Sequence, residues 1–130
     1  MLMIANSHSI RYNSWYDLMS TLNQSSIEAT ADKMVELGLV ELGYNFLALD
    51  DCWASGRTKD GVLIADPKLW KGATLKSIAD YAHSKGMKFG TYTDRGTKTC
   101  AGRPGAEDHE VIDAKTCVLR LPPSPCLCCC

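Results

Sequence analysis

Four consecutive apolar residues, Phe46, Leu47, Ala48 and Leu49, run without a break into two carboxylates, Asp50 and Asp51, with Cys52 and Trp53 behind them. A strand that is apolar at every position has no solvent face, so it belongs inside a parallel sheet covered on both sides. Successive strand residues point to opposite faces, and only the strand's end can leave both carboxylates reachable. In parallel α/β sheets the carboxyl ends of the strands are where ligands bind. The plainer alternative is a turn-capping Asp50 beside a solvated Asp51. Trp53 weighs against it: an aromatic ring next to paired carboxylates suits a polar ring with one apolar face, such as a sugar.

The flanking sequence supplies helices and a second strand. Tyr12 to Tyr16 is aromatic-rich and reads as a short strand end, with ordinary core packing as the bland alternative. Ser25 followed by Glu28 has the form of a capping box. Ile27, Ala31, Met34, Val35 and Leu42 then recur near one face, which predicts a helix over 27–42. The strand over 45–50 follows. Residues 54–72 read as a long connection, with turn signals at Asp60-Gly61 and Asp66-Pro67. Connections of that length are uncommon in compact domains unless they carry function. Leu75, Ile78, Ala79 and Ala82 predict a second helix over 74–85, closed by Gly86 behind His83 and Lys85. His83 is therefore a helix-end residue rather than a catalyst. A second strand over 87–93 ends in polar groups again, Tyr92 and Asp94. Thr97 to Gly105 reads as a loop, and His109 to Lys115 as the opening of a third helix.

Strand, helix, strand order implies right-handed parallel crossovers in an α/β fold. A (β/α) barrel with long top loops and a doubly wound sheet both fit the spacing. No GxGxxG follows either strand, so a dinucleotide fold has no fingerprint.

Composition removes several classes. A chain of 130 residues makes one small domain. With 14 basic and 15 acidic residues the net charge is -1, which gives no electrostatic case for nucleic acid or an anionic membrane as partner. No run approaches the roughly 18 continuous apolar residues of a membrane span. The start, Met-Leu-Met-Ile-Ala-Asn-Ser-His, lacks the basic head and long apolar core of a signal peptide. Localisation stays open. Of seven cysteines, Cys126, Cys128, Cys129 and Cys130 crowd into the last five residues, which is neither a disulfide framework nor a paired CxxC zinc site. The leucine and three cysteines that end the chain miss the prenylation box. From Val118 onward the periodicity stops. Residues 118–130 read as an unstructured Cys/Pro-rich tail foreign to the fold, such as a frame or splice change would leave.

An ordered series of motifs narrows this further. They are Asn13-Ser14-Trp15, Leu42-Gly43-Tyr44 running to Asp50-Asp51-Cys52-Trp53, Asp66-Pro67, Ala79-Asp80-Tyr81 with His83-Ser84-Lys85-Gly86, Gly90-Thr91-Tyr92-Thr93-Asp94, and Gly96 to Gly102 with Pro104-Gly105. From Asn13 to Thr116 the chain resembles glycoside hydrolase family 27, the α-galactosidases and α-N-acetylgalactosaminidases. The resemblance implies the N-terminal part of a (β/α)8 TIM barrel, truncated, over residues 1–117. It implies retaining hydrolysis of terminal α-galactosyl residues, with α-galactoside sugars as partners. No cofactor and no metal are implied, because such glycosidases work with carboxylates alone. Residue by residue, Asp50 and Asp51 resemble the pair that accepts galactose hydroxyls. Trp15 resembles the aromatic wall of the sugar pocket, and Tyr92 the tyrosine that lines it.

The resemblance also shows departures. The family's fourth strand carries Lys-Tyr-Asp-Asn-Cys or a near form, with the nucleophile, and the acid/base lies beyond it. No catalytic residue is assigned here, since the sequence diverges after Asp113 to Thr116. Asp50 and Asp51 do not replace the missing pair, because adjacent strand residues rarely flank a bond from opposite sides. Cys100 resembles half of a pocket-side disulfide whose partner sits on that fourth strand, and Cys52 usually pairs near the place where Ser20 stands. Both are expected to be free. Tyr12 replaces the usual Trp, and Arg11 the usual Gly. The chain as given is expected to be an inactive N-terminal fragment of an α-galactosidase sequence; the alternatives are a non-catalytic galactose-binding remnant or a non-functional truncated product. The family is mostly secreted, vacuolar or lysosomal. Galactose and N-acetylgalactosamine remain equally compatible.

Overall fold

The computed structural model describes residues 10–120, and for Cys117 to Arg120 the backbone only. The chain opens with β1 (Arg11–Asn13), a turn of 3-10 helix over Ser14–Tyr16 and another over Met19–Thr21. Then come α1 (Gln24–Glu36) and β2 (Phe46–Leu49). β3 (Ala54–Arg57), β4 (Leu63–Ala65) and the short α2 (Pro67–Trp70) follow. α3 (Leu75–Ser84), β5 (Lys88–Thr91) and α4 (Glu110–Arg120) complete the order.

The main sheet has the order β1-β2-β5, and both pairings are parallel. β2 lies in the middle and is buried at all four positions, as its unbroken apolar run requires. The register places Leu47 beside Phe89 and Leu49 beside Thr91. α1 buries Ile27, Ala31 and Met34, and α3 buries Ile78, Ala79 and Ala82, so the two helices meet over one side of the sheet. Phe89 is fully buried in the same cluster. Sequestering a side chain of this kind is worth about 1.5–3 kcal/mol, so the layer of helices on sheet holds the strand ends in place.

The helix limits differ from the sequence reading at one end. α1 is capped by Asn23, not Ser25: Asn23 Oδ1 accepts from the Ser26 N–H, and Ser26 Oγ accepts from the Asn23 N–H. Glu28 is occupied instead by Gln24 Nε2 at 3.0 Å. α1 stops at Glu36 rather than 42. Gly38 adopts φ +68°, and the Leu39 N–H returns to the Met34 carbonyl while the Gly38 N–H meets Val35, a Schellman ending. Leu42 thus keeps the helical period by accident and is exposed. α3 ends in the same way at Gly86, φ +77°, as its sequence indicates.

The stretch 54–72 is not a structureless connection. β3 and β4 form an antiparallel hairpin with an irregularity between Ala54 and Gly56, and Asp66 caps α2 by accepting from the Lys68 N–H. Tryptophans fasten it. Trp70 Nε1 donates to the Trp53 carbonyl at 2.9 Å, and Trp53 Nε1 donates to the Tyr92 carbonyl at 2.7 Å. The hairpin is therefore bolted to the end of β5. The helix expected to open at His109 is α4, which begins one residue later at Glu110 and continues to Arg120; residues 121–130 of the expected tail lie outside the described residues. None of the described helices is long and apolar enough to cross a membrane.

Candidate functional site

β1, β2 and β5 run in the same direction, so Asn13, Asp50 and Tyr92 leave the sheet at one common end. The Tyr92 N–H still bonds the Leu49 carbonyl at 2.8 Å, which carries the register one step further and sets Tyr92 beside Asp50. Trp15 follows β1 at the same end, in the turn capped by Asn13.

Asp50 is half-buried and its carboxylate is fixed at both oxygens. Oδ2 accepts from Asn13 Nδ2 at 2.6 Å, and Oδ1 accepts from the Asp51 N–H at 2.7 Å. Its own N–H donates to Ser14 Oγ at 2.9 Å. Each carboxylate oxygen accepts about two bonds, so Asp50 keeps acceptor capacity on both oxygens.

Asp51 differs. Only 3% of it is exposed. Oδ1 accepts from the Cys52 N–H at 2.6 Å and from Thr99 Oγ1 at 2.8 Å, and Oδ2 accepts from the Ala101 N–H at 2.8 Å. Three donors hold this anion and leave one lone pair, on Oδ2. Asp51 therefore ties the loop Thr97 to Gly105 down onto the end of β2. Cys52 takes φ +75° directly after it, a conformation of the left-handed region that the tight turn at Asp51 imposes.

Tyr92 is half-buried, with its hydroxyl donating to Asp94 Oδ2 at 3.1 Å and lying 3.8 Å from Cys100 Sγ. Burial, then the contacts with Cys100 and Asp94, push its phenol well above the usual tyrosine range. It stays a neutral hydrogen-bonding group over the whole physiological span. Cys100 is exposed and Cys52 buried, and both thiols are free.

Trp53 does not present its face to a ligand. It is 5% exposed, packed in the core, and its indole N–H is spent on Tyr92. Its proximity to the carboxylates in sequence reflects the bracket it forms for the hairpin.

Sequence reading gave no role to Asn13, Ser14 and Thr99, although all three lie in motifs that it singled out. Their function is visible only as contacts across 36 to 48 residues. Arg57 and Asp113 were also missed. Arg57 donates to both oxygens of Asp113 at 2.7 Å and to the carbonyls of Gly61 and Gly105 at 2.6 Å. A single Arg in a polar stretch and an Asp in a weakly patterned helix gave no signal.

Parallel strands under covering helices, with carboxylates and aromatic groups collected at the strands' carboxyl ends, fit a segment of a (β/α) barrel, whose ligand sites lie at that end. Comparison with known proteins makes this specific. The profile of the family described as alpha galactosidase A matches residues 12–119. Alpha-galactosidase A of Cellvibrio japonicus is 42% identical over 113 residues, covering 87% of this chain and 28% of the relative. The alpha-galactosidase of Coffea arabica is 46% identical over 111 residues, covering 81% and 28%. Among solved structures, alpha-galactosidase I of Mortierella vinacea superposes with a TM-score of 0.83 at 32% identity, covering 87% of this chain and 28% of that one. The chain belongs to the α-galactosidase family, glycoside hydrolase family 27, and its three-stranded sheet is part of that family's TIM barrel. It spans a little over a quarter of the length of these relatives.

Proposed function

We propose that these residues form the galactose-recognition half of an α-galactosidase pocket. The observation that carries the reading is the juxtaposition of Asp50, with free lone pairs on both oxygens, and Tyr92 at one end of adjacent parallel strands. Trp15, half-buried in the turn that follows the neighbouring strand β1, supplies the apolar wall. An ionised carboxylate accepts sugar hydroxyls strongly and fixes their geometry, and a pocket built on such acceptors rejects an epimer that leaves them unpaired. In this reading Asp50 is the principal acceptor, Asp51 adds its remaining Oδ2 lone pair, and Tyr92 lines the floor. A solved alpha-galactosidase of Saccharomyces cerevisiae with raffinose, 34% identical, shows the class of sugar that a relative takes.

Retaining hydrolysis needs two carboxyl groups about 5–5.5 Å apart, one as nucleophile and one as acid/base. By family resemblance both belong to later barrel strands, and residues 10–120 contribute recognition. The test is a pair of measurements on the purified 130-residue chain. Titration with galactose and with glucose, read by Trp emission or NMR, should show binding of galactose and markedly weaker binding of its 4-epimer. Incubation with an aryl α-galactoside should give no turnover above a mock preparation. Equal binding of the two sugars would sink the recognition reading. Turnover lost in Asp51→Ala would sink the division between recognition and chemistry.

A further inference from the structure

The carboxylate of Asp50 is held by a residue of the neighbouring strand. Asn13 uses both ends of its amide. Its Oδ1 accepts from the Trp15 N–H at 2.8 Å, and its Nδ2 donates to Asp50 Oδ2 at 2.6 Å. One side chain thus joins the first turn after β1, which carries the aromatic ring, to the end of β2, which carries the acceptor.

We infer that Asn13 is a positioning residue that sets the plane of the Asp50 carboxylate and the placement of Trp15 together. The inference rests on the galactose-recognition reading of these two residues and adds to it the residue that orients them. The terminal torsion of an Asp is broad, so a half-buried carboxylate held at one oxygen can still turn. Asp50 is held at both, by Asn13 on Oδ2 and by the Asp51 N–H on Oδ1. The second of these is local and leaves the first as the tie to another strand. The Asp50 backbone is already anchored, through its N–H on Ser14 Oγ. Removing the Asn13 amide therefore frees the carboxylate without freeing the strand. Preorganised acceptors lose affinity when their supporting group is removed, because the ligand must then order them.

Two substitutions separate orientation from capping. Asp and Ser are as good as Asn at a helix N-cap, so Asn13→Asp and Asn13→Ser both keep an acceptor for the Trp15 N–H. Neither keeps the donor toward Asp50: Ser is too short, and Asp sets a like charge against it. Both variants should retain the wild-type circular dichroism spectrum and bind galactose about tenfold more weakly, Asn13→Asp the weaker of the two. Unchanged affinity in both would overturn the inference. If the wild-type chain binds no galactose, the recognition reading fails, and the positioning role is decided separately by NMR. The side-chain amide protons of Asn13 should shift and exchange faster in Asp50→Ala. Unchanged Asn13 amide resonances in that variant would overturn it.

Discussion

Arg57 and Asp113, 56 residues apart in sequence, form a bidentate pair in which Nη1 donates to Oδ1 and Nη2 to Oδ2, each at 2.7 Å. Their side chains are only 12% and 7% exposed. The same guanidinium holds the carbonyls of Gly61 and Gly105, so hairpin, loop and α4 meet at one cation. Asp51 holds that loop from the other side through Thr99 and Ala101.

Breaking this pair should be costly. Arg57→Ala leaves the Asp113 carboxylate buried without its counter-charge and two carbonyls without a donor. Losing one partner of a buried pair costs about 3–5 kcal/mol. Denaturant midpoints should fall accordingly. The double variant Arg57→Met/Asp113→Leu, which buries no orphan charge, should lose much less. Equal losses in the two would show that packing, not the ion pair, holds the junction.

Gly105 is required where it stands. A Cβ there would lie 1.9 Å from the Gly96 carbonyl oxygen and 2.9 Å from the Lys98 nitrogen, both backbone atoms that cannot swing aside. Gly56 has nothing within 4 Å of the same position. Gly105→Ala should cost about 2 kcal/mol or more, whereas Gly56→Ala should be neutral or slightly stabilising. Thermal denaturation of the two variants side by side checks this, and equal melting temperatures would contradict the close approach of residues 96 and 105.

The main sheet was legible because its signal is local. Phe46 to Leu49 can only be an interior strand, and Gly86 closes α3 where the pattern ends. Gly38 was overridden by Leu42, whose spacing imitates one more helical turn although it is exposed. The hairpin of residues 54–65 carries little apolar alternation, since Ser55, Gly56 and Arg57 offer no apolar side chain, and its fastening by Trp53 and Trp70 depends on carbonyls that sequence does not display. The same holds at the site. Asp50 and Asp51 are neighbours of one residue type, and nothing local tells that one is held by three donors and the other keeps its acceptor capacity.

Alkaline pH should loosen the fold at Tyr12. Burial, then its hydrogen bond to the Asp17 carboxylate at 2.9 Å, pushes the phenol up from 10.0 to about 12. A raised acid is kept protonated by the folded chain. Its contribution is whole below pH 10.0 and is lost as pH climbs through about 12. Two pH units correspond to about 2.7 kcal/mol, which solvent screening at this half-exposed ring reduces to about 1 kcal/mol. Tyr12→Phe should therefore lose less stability than wild type across that interval, as urea midpoints at paired pH values will measure. Parallel curves would show that neither the burial of this ring nor its Asp17 contact is maintained in solution.

Asp51 and Asp50 should respond differently to replacement. Asp51→Ala removes the acceptor of three donors, the N–H groups of Cys52 and Ala101 and the Thr99 hydroxyl, in a site 3% exposed. Each buried donor left unpaired costs about 1–3 kcal/mol, so the variant should lose several kcal/mol and release the loop. Hydrogen exchange at the Ala101 amide should rise toward that of the unfolded chain. Asp50→Ala frees only the Asn13 amide and the Asp51 N–H in a half-buried place, which water can reach. Its stability loss should stay near about 1 kcal/mol, while galactose binding disappears. A variant set in which Asp50→Ala destabilises as much as Asp51→Ala, with Ala101 equally exposed to exchange in both, would show that the two carboxylates share one structural task and do not divide loop anchoring from sugar recognition.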